Sequence, residues 1–368
     1  MQIIARMNVG GPAVIVAELM RGLDNQKFEQ ILVTGYCDET EADYLDEVAT
    51  DIQATRIAGL GRSVSPLADL RAFFSLVGMI RKFQPDVIHT HTAKAGVLGR
   101  LASMLAGRSA TRIHTFHGHL LHGYFAGWKT KLVIAIEKFF AARTDTLIAI
   151  GTEVKNDLVA AGIGKESQYE VFYPGLPAPK EISRSDARSQ LGWSQDGVAI
   201  TFVGRLTQIK RPDRLLDIAA RATGAEFIVA GEGELFESCK ERAAKENLPV
   251  TFLGWRKDIE TIFAASDIAI LTSDNEGIPL TLIQAAFAGL PIVATKVGSI
   301  SDIVIEGGNG FLLPTNADAM AKAVQEMVNR PDMRRAMGDY GRKHAHQYFS
   351  LERMINDHSS LYSLHAHR

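Results

Sequence analysis

Cysteine is nearly absent from this chain. Of 368 residues only Cys37 and Cys239 are cysteines, far apart and without C-x-x-C spacing, which excludes a disulfide framework and a thiolate zinc site and fits a reducing compartment. Long apolar runs are missing too: nothing reaches the roughly 18 residues a spanning helix needs. Met1 to Gly11 lack the apolar stretch and cleavage site of a secretory leader, so the expected location is cytoplasmic. Neither sign of charge dominates. Lys and Arg number 40 against 42 Asp and Glu, a formal charge of -2, which gives no global reason to expect nucleic acid as a partner. No Asp-x-Asp pair occurs, so a metal bridging a diphosphate has no obvious carboxylate ligands and no metal or cofactor is expected. G-x-G-x-x-G is absent after the first apolar run, which leaves the nicotinamide dinucleotide fingerprint unmet.

What is present is an alternation of short Ile- and Val-rich runs with longer helical patterns, the signature of an α/β fold with parallel strands and crossover helices. Strand candidates in the first half are Gln2 to Arg6, Gln30 to Thr34, Val87 to His91, Arg112 to Phe116 and Thr146 to Ile150. The segment Tyr173 to Lys180, YPGLPAPK, then breaks the pattern with three prolines and a glycine, which reads as a linker. Beyond it the strand candidates are Ala199 to Val203, Glu226 to Ala230, Val250 to Leu253, Ile268 to Leu271 and Pro291 to Ala294, with a helix over Arg211 to Ala222. Two tandem doubly wound units follow, with ligands expected beyond the strand C-termini. The expected boundaries are 1–175, 176–345 and a terminal helix over 346–368 that packs back on the first domain.

Three segments carry phosphate-binding chemistry. In NVGGPAVIVAEL, Gly10 and Gly11 follow the first strand and Pro12 suits the first helical turn; backbone can approach an anion closely there, and the helix start offers unpaired N–H groups. A plain turn before a helix would read the same way. In FVGRLTQIKRPD, Gly204 ends a strand and Arg205 and Lys210 follow, two cations suited to a diphosphate leaving group; solvated loop charge is the bland alternative, and Arg211 and Arg214 read as helix-surface residues. In SDNEGIPLTLIQAAFAG, Glu276 stands at the turn, Gly277 and Pro279 bend the chain, and the amides of Ile278, Leu280 and Thr281 head a helix. Glu276 alone would be an unremarkable capping residue; beside the other two segments it reads as a group for sugar hydroxyls.

His89 and His91 end one strand, and HTFHGHLLH supplies His114, His117, His119 and His122 after the next. Alternation puts His89 and His91 on one face; a metal site there lacks a carboxylate or cysteine to complete it. His117, beside Gly118, is the best candidate to meet substrate. His344, His346, His358, His365 and His367 read as surface residues of terminal helices. Lys129 to Arg143, KTKLVIAIEKFFAAR, reads first as a core-facing helix with a solvated basic side, and the same pattern would suit peripheral contact with the inner face of the cell membrane.

Together with HTHTAKAGVLGRLAS, HTFHGH, ARTDTLIAIG, VGRLTQIK, FLGWRKDI and SDNEGIPLTLIQAAFAGLPIVAT, these motifs resemble the retaining glycosyltransferases of family 4 over nearly the whole chain. The resemblance implies a GT-B fold, two Rossmann-like domains facing each other across a cleft, the first for the acceptor and the second for the nucleotide sugar. It implies a metal-independent hexosyltransferase that uses a nucleoside-diphosphate sugar, UDP-linked by preference, and a saccharide or lipid-linked acceptor in cell-surface polysaccharide synthesis. Carried onto this sequence, Gly10 and Gly11 would touch the diphosphate, Arg205 and Lys210 would neutralise it, and His117 would lie near the donor sugar. Glu276 would hold sugar hydroxyls, the amides of Ile278, Leu280 and Thr281 the phosphates, and Trp255 with Arg256 would lie near the base. One position departs: the family's second glutamate, on the ribose, is Gln284 here, which offers one acceptor oxygen and no charge. A sugar-nucleotide 2-epimerase of the same architecture and a catalytically silent nucleotide-sugar binder are the alternatives.

Overall fold

The computed structural model describes residues 1–39, 41–107, 109–118 and 127–366. The chain divides into two compact units, Met1–Gly175 with Leu351–Arg368, and Leu176–Ser350. In the first unit seven strands form one sheet: β1 (Gln2–Ile4), β2 (Leu32–Thr34), β3 (Ala54–Arg56), β4 (Val87–His91), β5 (Thr111–Phe116), β6 (Thr146–Ala149) and β7 (Tyr169–Val171). Their spatial order is β3-β2-β1-β4-β5-β6-β7, every pair parallel, with Ile3 opposite Val33 on one side and Thr90 on the other. The order reverses direction at β1, the arrangement that leaves a ligand crevice beyond the strand C-termini.

Side chains alternate between two cores. Ile3, Val33 and Ile88 pack with Leu76, Ile80, Ala95 and Ala102 from the helices Pro66–Phe83 and Ala93–Leu105. Ile4 and Leu32 turn the other way, onto Ala13, Val16 and Ala17 of the helix Gly11–Gly22. On that second face Ile113 and Ile148 meet Leu361 and Tyr362 of the helix Leu351–Ala366. Period-two alternation thus sends His89 and His91 toward the Leu351–Ala366 side and His114 toward Ala93–Leu105. The latter helix lies so close that a Cβ on Gly96 would come within 2.5 Å of His114 Cε1.

The second unit carries six parallel strands, β8 (Val198–Val203), β9 (Ala225–Ala230), β10 (Val250–Gly254), β11 (Ile268–Leu271), β12 (Ile292–Thr295) and β13 (Gly310–Leu313), in the order β10-β9-β8-β11-β12-β13. Here the reversal falls at β8. The helix after it spans Pro212–Ala219 and cannot include Arg211, whose left-handed φ of 53° no α-helix tolerates. The helix Pro331–Tyr348 runs straight through position 345, and the passage between units falls after Ser350 instead. A continuous hydrogen-bonded helix moves as one body, so the break comes where it stops.

Candidate functional site

In the second unit three strand-end loops are tied together. β8 runs into Gly204–Lys210, β9 into Gly231–Leu235, and β10 ends at Gly254. Gly204 N–H donates to Ala230 O at 3.0 Å, Leu206 N–H to Glu232 O at 2.9 Å, Leu235 N–H to Leu206 O at 3.0 Å, and Gly231 N–H to Gly254 O at 2.7 Å. Gly231 and Gly233 have φ of 140° and 154°, and a Cβ on Gly231 would collide with Gly204 O while one on Gly233 would sit 2.5 Å from Leu206 O. Only glycine fits under that loop. Gly204 itself is under no such demand, since a Cβ there would meet nothing nearer than the Phe202 ring at 3.6 Å. The G-x-G at Gly231–Gly233, directly after a strand, is the signal that would have marked this support from sequence.

The fourth loop, Thr272–Pro279, follows β11. Thr272 Oγ1 donates to Lys210 O at 2.9 Å, and Asp274 N–H donates to Ile209 O at 2.8 Å. From beneath, Arg214 donates to Thr272 O at 2.5 Å and to Asp274 Oδ1 at 2.6 Å, while Arg211 reaches Asp274 Oδ2 at 2.9 Å. Arg214 is 5% exposed, so the expectation of a surface residue is overturned: it is a buried strut, its charge met by a carboxylate and a carbonyl. Burial alone would raise the Asp274 carboxyl, but Arg214 and Arg211 outweigh it and hold it below the ordinary range.

This scaffold brings Lys210 and Glu276 into an ion pair, with Glu276 Oε1 also accepting from Ser273 Oγ at 2.6 Å. Glu276 Oε2 has no partner among the described residues. Arg205 is exposed and likewise without an ion pair among them. Gly277, Ile278 and Pro279 lead into the helix Leu280–Phe287, whose first turn holds no acidic residue and no side-chain cap. No acceptor among the described residues takes the amides of Ile278, Leu280 and Thr281. Gln284, one turn further, is half-buried, and its side-chain amide bonds to none of the described residues. Trp255 is 47% exposed, with its backbone N–H donating to Glu232 Oε1 at 3.3 Å and Lys257 Nζ 5.3 Å from its ring centre. Arg256 is engaged locally by Asp258 at 2.7 Å.

In the first unit Gly10 and Gly11 stand between a paired segment, where Val9 N–H meets Ala42 O at 3.0 Å, and the Gly11–Gly22 helix with Pro12 in its first turn and no acid there. Gly10 has extended backbone, and a Cβ on it would find nothing closer than Asn8 O at 3.8 Å. The fold therefore leaves room at Gly10 that it does not need. His117 follows β5; His119 and His122 lie outside the described residues. His117 Nε2 is 2.9 Å from His91 Nδ1, and its Nδ1, although buried, has no partner among the described residues. His89 and His91 lie with rings 4.1 Å apart, and the His358 ring stacks 5.9 Å from His89. His358 is 3% exposed, which corrects its expected place on the surface. Burial, reinforced by neighbouring rings, pushes His89 and His91 far below the usual imidazole range and His117 down to about 3, while burial and the Arg353 charge bring His358 to about 4. The cluster is neutral at pH 7.

Comparison with known proteins settles the family. Residues 10–175 match the glycosyl transferase 4-like domain, and residues 183–344 match glycosyl transferases group 1. The chain is 31% identical over 313 residues to the Escherichia coli UDP-Gal:alpha-D-GlcNAc-diphosphoundecaprenol alpha-1,3-galactosyltransferase, covering 80% of this chain and 78% of that one. It belongs to the family 4 glycosyltransferases. Another relative of this glycosyltransferase is the putative glycosyltransferase EpsD of Bacillus subtilis, 28% identical over 80% of this chain and 81% of EpsD. Among solved structures, Anabaena HepE in complex with UDP and glucose superposes with a TM-score of 0.83 at 22% identity, over 99% of this chain and 100% of that one. The shared fold is GT-B, two Rossmann-like domains.

Proposed function

We propose that this glycosyltransferase moves a hexose from a UDP-sugar to a hydroxyl of a saccharide or lipid-linked acceptor in cell-surface polysaccharide synthesis, with retention of configuration and without a metal ion. The observation that carries the reading is the Lys210–Glu276 pair at the mouth of the Leu280–Phe287 helix. Bond breaking leaves negative charge on the diphosphate, and what stabilises it must be positioned beforehand. Lys210 is held by its carboxylate partner, Arg205 is unengaged, and first-turn amides add the partial positive charge of a helix start. The free Glu276 Oε2 suits a sugar hydroxyl, and the Glu276–Lys210 pairing lets a carboxylate sit beside phosphate at lower electrostatic cost.

In the first unit the spare room at Gly10 suits close approach by an anion to the amides that open the next helix, and His117 is assigned to the donor sugar. The Trp255 ring is available to stack on a base. The E. coli relative acts, by its name, on a diphosphoundecaprenol-linked sugar, which supports a lipid-linked acceptor. Among the described residues no helix is long and apolar enough to cross a membrane. The helix Gly127–Ala141 exposes Leu132, Ile136 and Phe139 beside Lys131 and Lys138, chemistry that suits an anionic lipid surface on the cytoplasmic side. A thermal-shift panel of UDP-, GDP- and ADP-sugars, followed by nucleotide-release assays on those that stabilise, tests the donor assignment. Stabilisation by no UDP-sugar would sink it. Co-sedimentation with anionic but not neutral vesicles, abolished by Lys131→Glu with Lys138→Glu, tests the membrane contact.

A further inference from the structure

The open Nδ1 of His117 is one end of a buried hydrogen-bond chain whose other end lies in the Leu351–Ala366 helix. Gln2 Nε2 donates to the Tyr362 hydroxyl at 2.9 Å, which leaves the phenol proton for His89 Nδ1 at 2.5 Å. A neutral imidazole carries a single N–H. With Nδ1 accepting, His89 must hold its proton on Nε2, where Thr115 Oγ1 receives it at 2.6 Å. The other end of the same amide, Gln2 Oε1, can only accept, so His91 is protonated on Nε2, 2.8 Å away. His91 Nδ1 is then a lone pair and takes the Nε2 proton of His117 at 2.9 Å.

We propose that this chain, set by Tyr362 and the Gln2 amide, fixes the tautomer of His117 and presents its Nδ1 as a bare acceptor for a donor-sugar hydroxyl. Turning the Gln2 amide over would reverse every bond and end the chain in a proton on His117 Nδ1, so one side chain decides which sort of partner the site accepts. Among the described residues phenol, amide and rings of the chain are satisfied throughout, and its one uncompensated atom is at the His117 end. A buried acceptor without a donor is unfavourable, and a sugar hydroxyl supplies the missing donor where a phosphate oxygen cannot. Burial keeps the rings from becoming cations that would donate from both nitrogens. Tyr362, Gln2, His89 and His91 are thus positioning residues for His117. The inference rests on the proposed function only for the identity of the hydroxyl.

Ring nitrogen chemical shifts of the whole protein, labelled at histidine and assigned with His117→Gln, read the tautomer at pH 7.5 without any assay of transfer. The expected result is a protonated Nε2 and a bare Nδ1 on His117, with Nδ1 shifting when a UDP-sugar is added. A proton on Nδ1 in the free protein overturns the inference. Tyr362→Phe removes only the hydroxyl: kcat should fall about tenfold with donor KM within twofold, and a mixture of His117 tautomers should appear. Unchanged tautomer and kcat in a folded Tyr362→Phe protein also overturn it. Should that variant not fold, the shifts of the unaltered protein still decide. Transfer undiminished in His117→Ala would instead remove the role given to His117 in the proposed function, while leaving the tautomer itself legible.

Discussion

The two units meet the same problem, polar groups at the C-terminal ends of a parallel sheet, with opposite chemistry. In the first unit the strand-end groups are histidines, buried, neutral and bonded to one another through Gln2 and Tyr362. In the second they are formally charged and carried on loops, with Lys210 paired to Glu276 and Arg205 exposed. Neutral groups can be buried once each hydrogen bond is made, whereas charges need partners or solvent. Under the proposed function the first arrangement would select the sugar hydroxyl, and the second would supply the potential that a departing diphosphate needs.

The difference can be broken most severely through the glycines. Gly231→Ala forces a Cβ into Gly204 O at a backbone angle alanine avoids, and a destabilisation on the order of 4 kcal/mol is expected in urea unfolding. Gly10→Ala should leave stability within about 0.5 kcal/mol, since its backbone is extended and the space is open, yet weaken UDP-sugar binding. UDP-sugar affinity unchanged in Gly10→Ala would mean that the room at Gly10 has no bearing on ligands. Next in size is Glu276→Gln, which keeps the shape but leaves Lys210 without its charge partner. Turnover should drop on the order of 100-fold, about 3 kcal/mol, with melting temperature nearly unchanged. Activity within threefold of the parent would remove Glu276 from the site.

The histidine side of the comparison is sharpened by acid. A histidine whose folded pKa lies below its unfolded value binds more protons unfolded, so its contribution to stability is complete above about 6.5 and is lost as pH falls toward the folded value. For His358, held at about 4, the loss between pH 7 and pH 5 is about 2 kcal/mol, and His89, His91, His114 and His117 shift in the same direction. Chemical denaturation at the two pH values should show the first unit weakening more than the second. A loss confined to the second unit would contradict the assignment. Smallest is Gln284→Glu, which should tighten the UDP-sugar by about 1 kcal/mol through a charge-assisted bond to a ribose diol; calorimetry showing equal affinity would dismiss the role of Gln284.

Sequence reading succeeded where strands are buried on both faces and failed at three of the four edges, β10 being the edge strand it found. β8, β11 and β12 are apolar throughout most of their length and stood out, whereas β3 (ATR), β7 (YEV) and β13 (GFLL) were passed over. All three are short edge strands with a single neighbour, so they bury less and carry a weaker pattern. The turn at Glu276 before Leu280–Phe287 and the loop at Lys210 before Pro212–Ala219 were legible as local structure because within each segment charge, turn residues and helix start lie a few positions apart. Arg214 was misread since nothing local shows that Thr272 and Asp274 close over it. His358 was misplaced, and Tyr362 drew no reading at all, for a stronger version of the same reason: the bond from Gln2 to Tyr362 spans 360 positions.

That separation bears on how the protein is made. As the nascent chain leaves the ribosome, Leu176–Ser350 has all its strands available before the helix Leu351–Ala366 has emerged, while the earlier-born sheet still lacks the phenol for Gln2 and His89. The region synthesised first is therefore completed last, and an interrupted message yields a product with raw polar atoms in its interior, a ready target for proteolytic clearance.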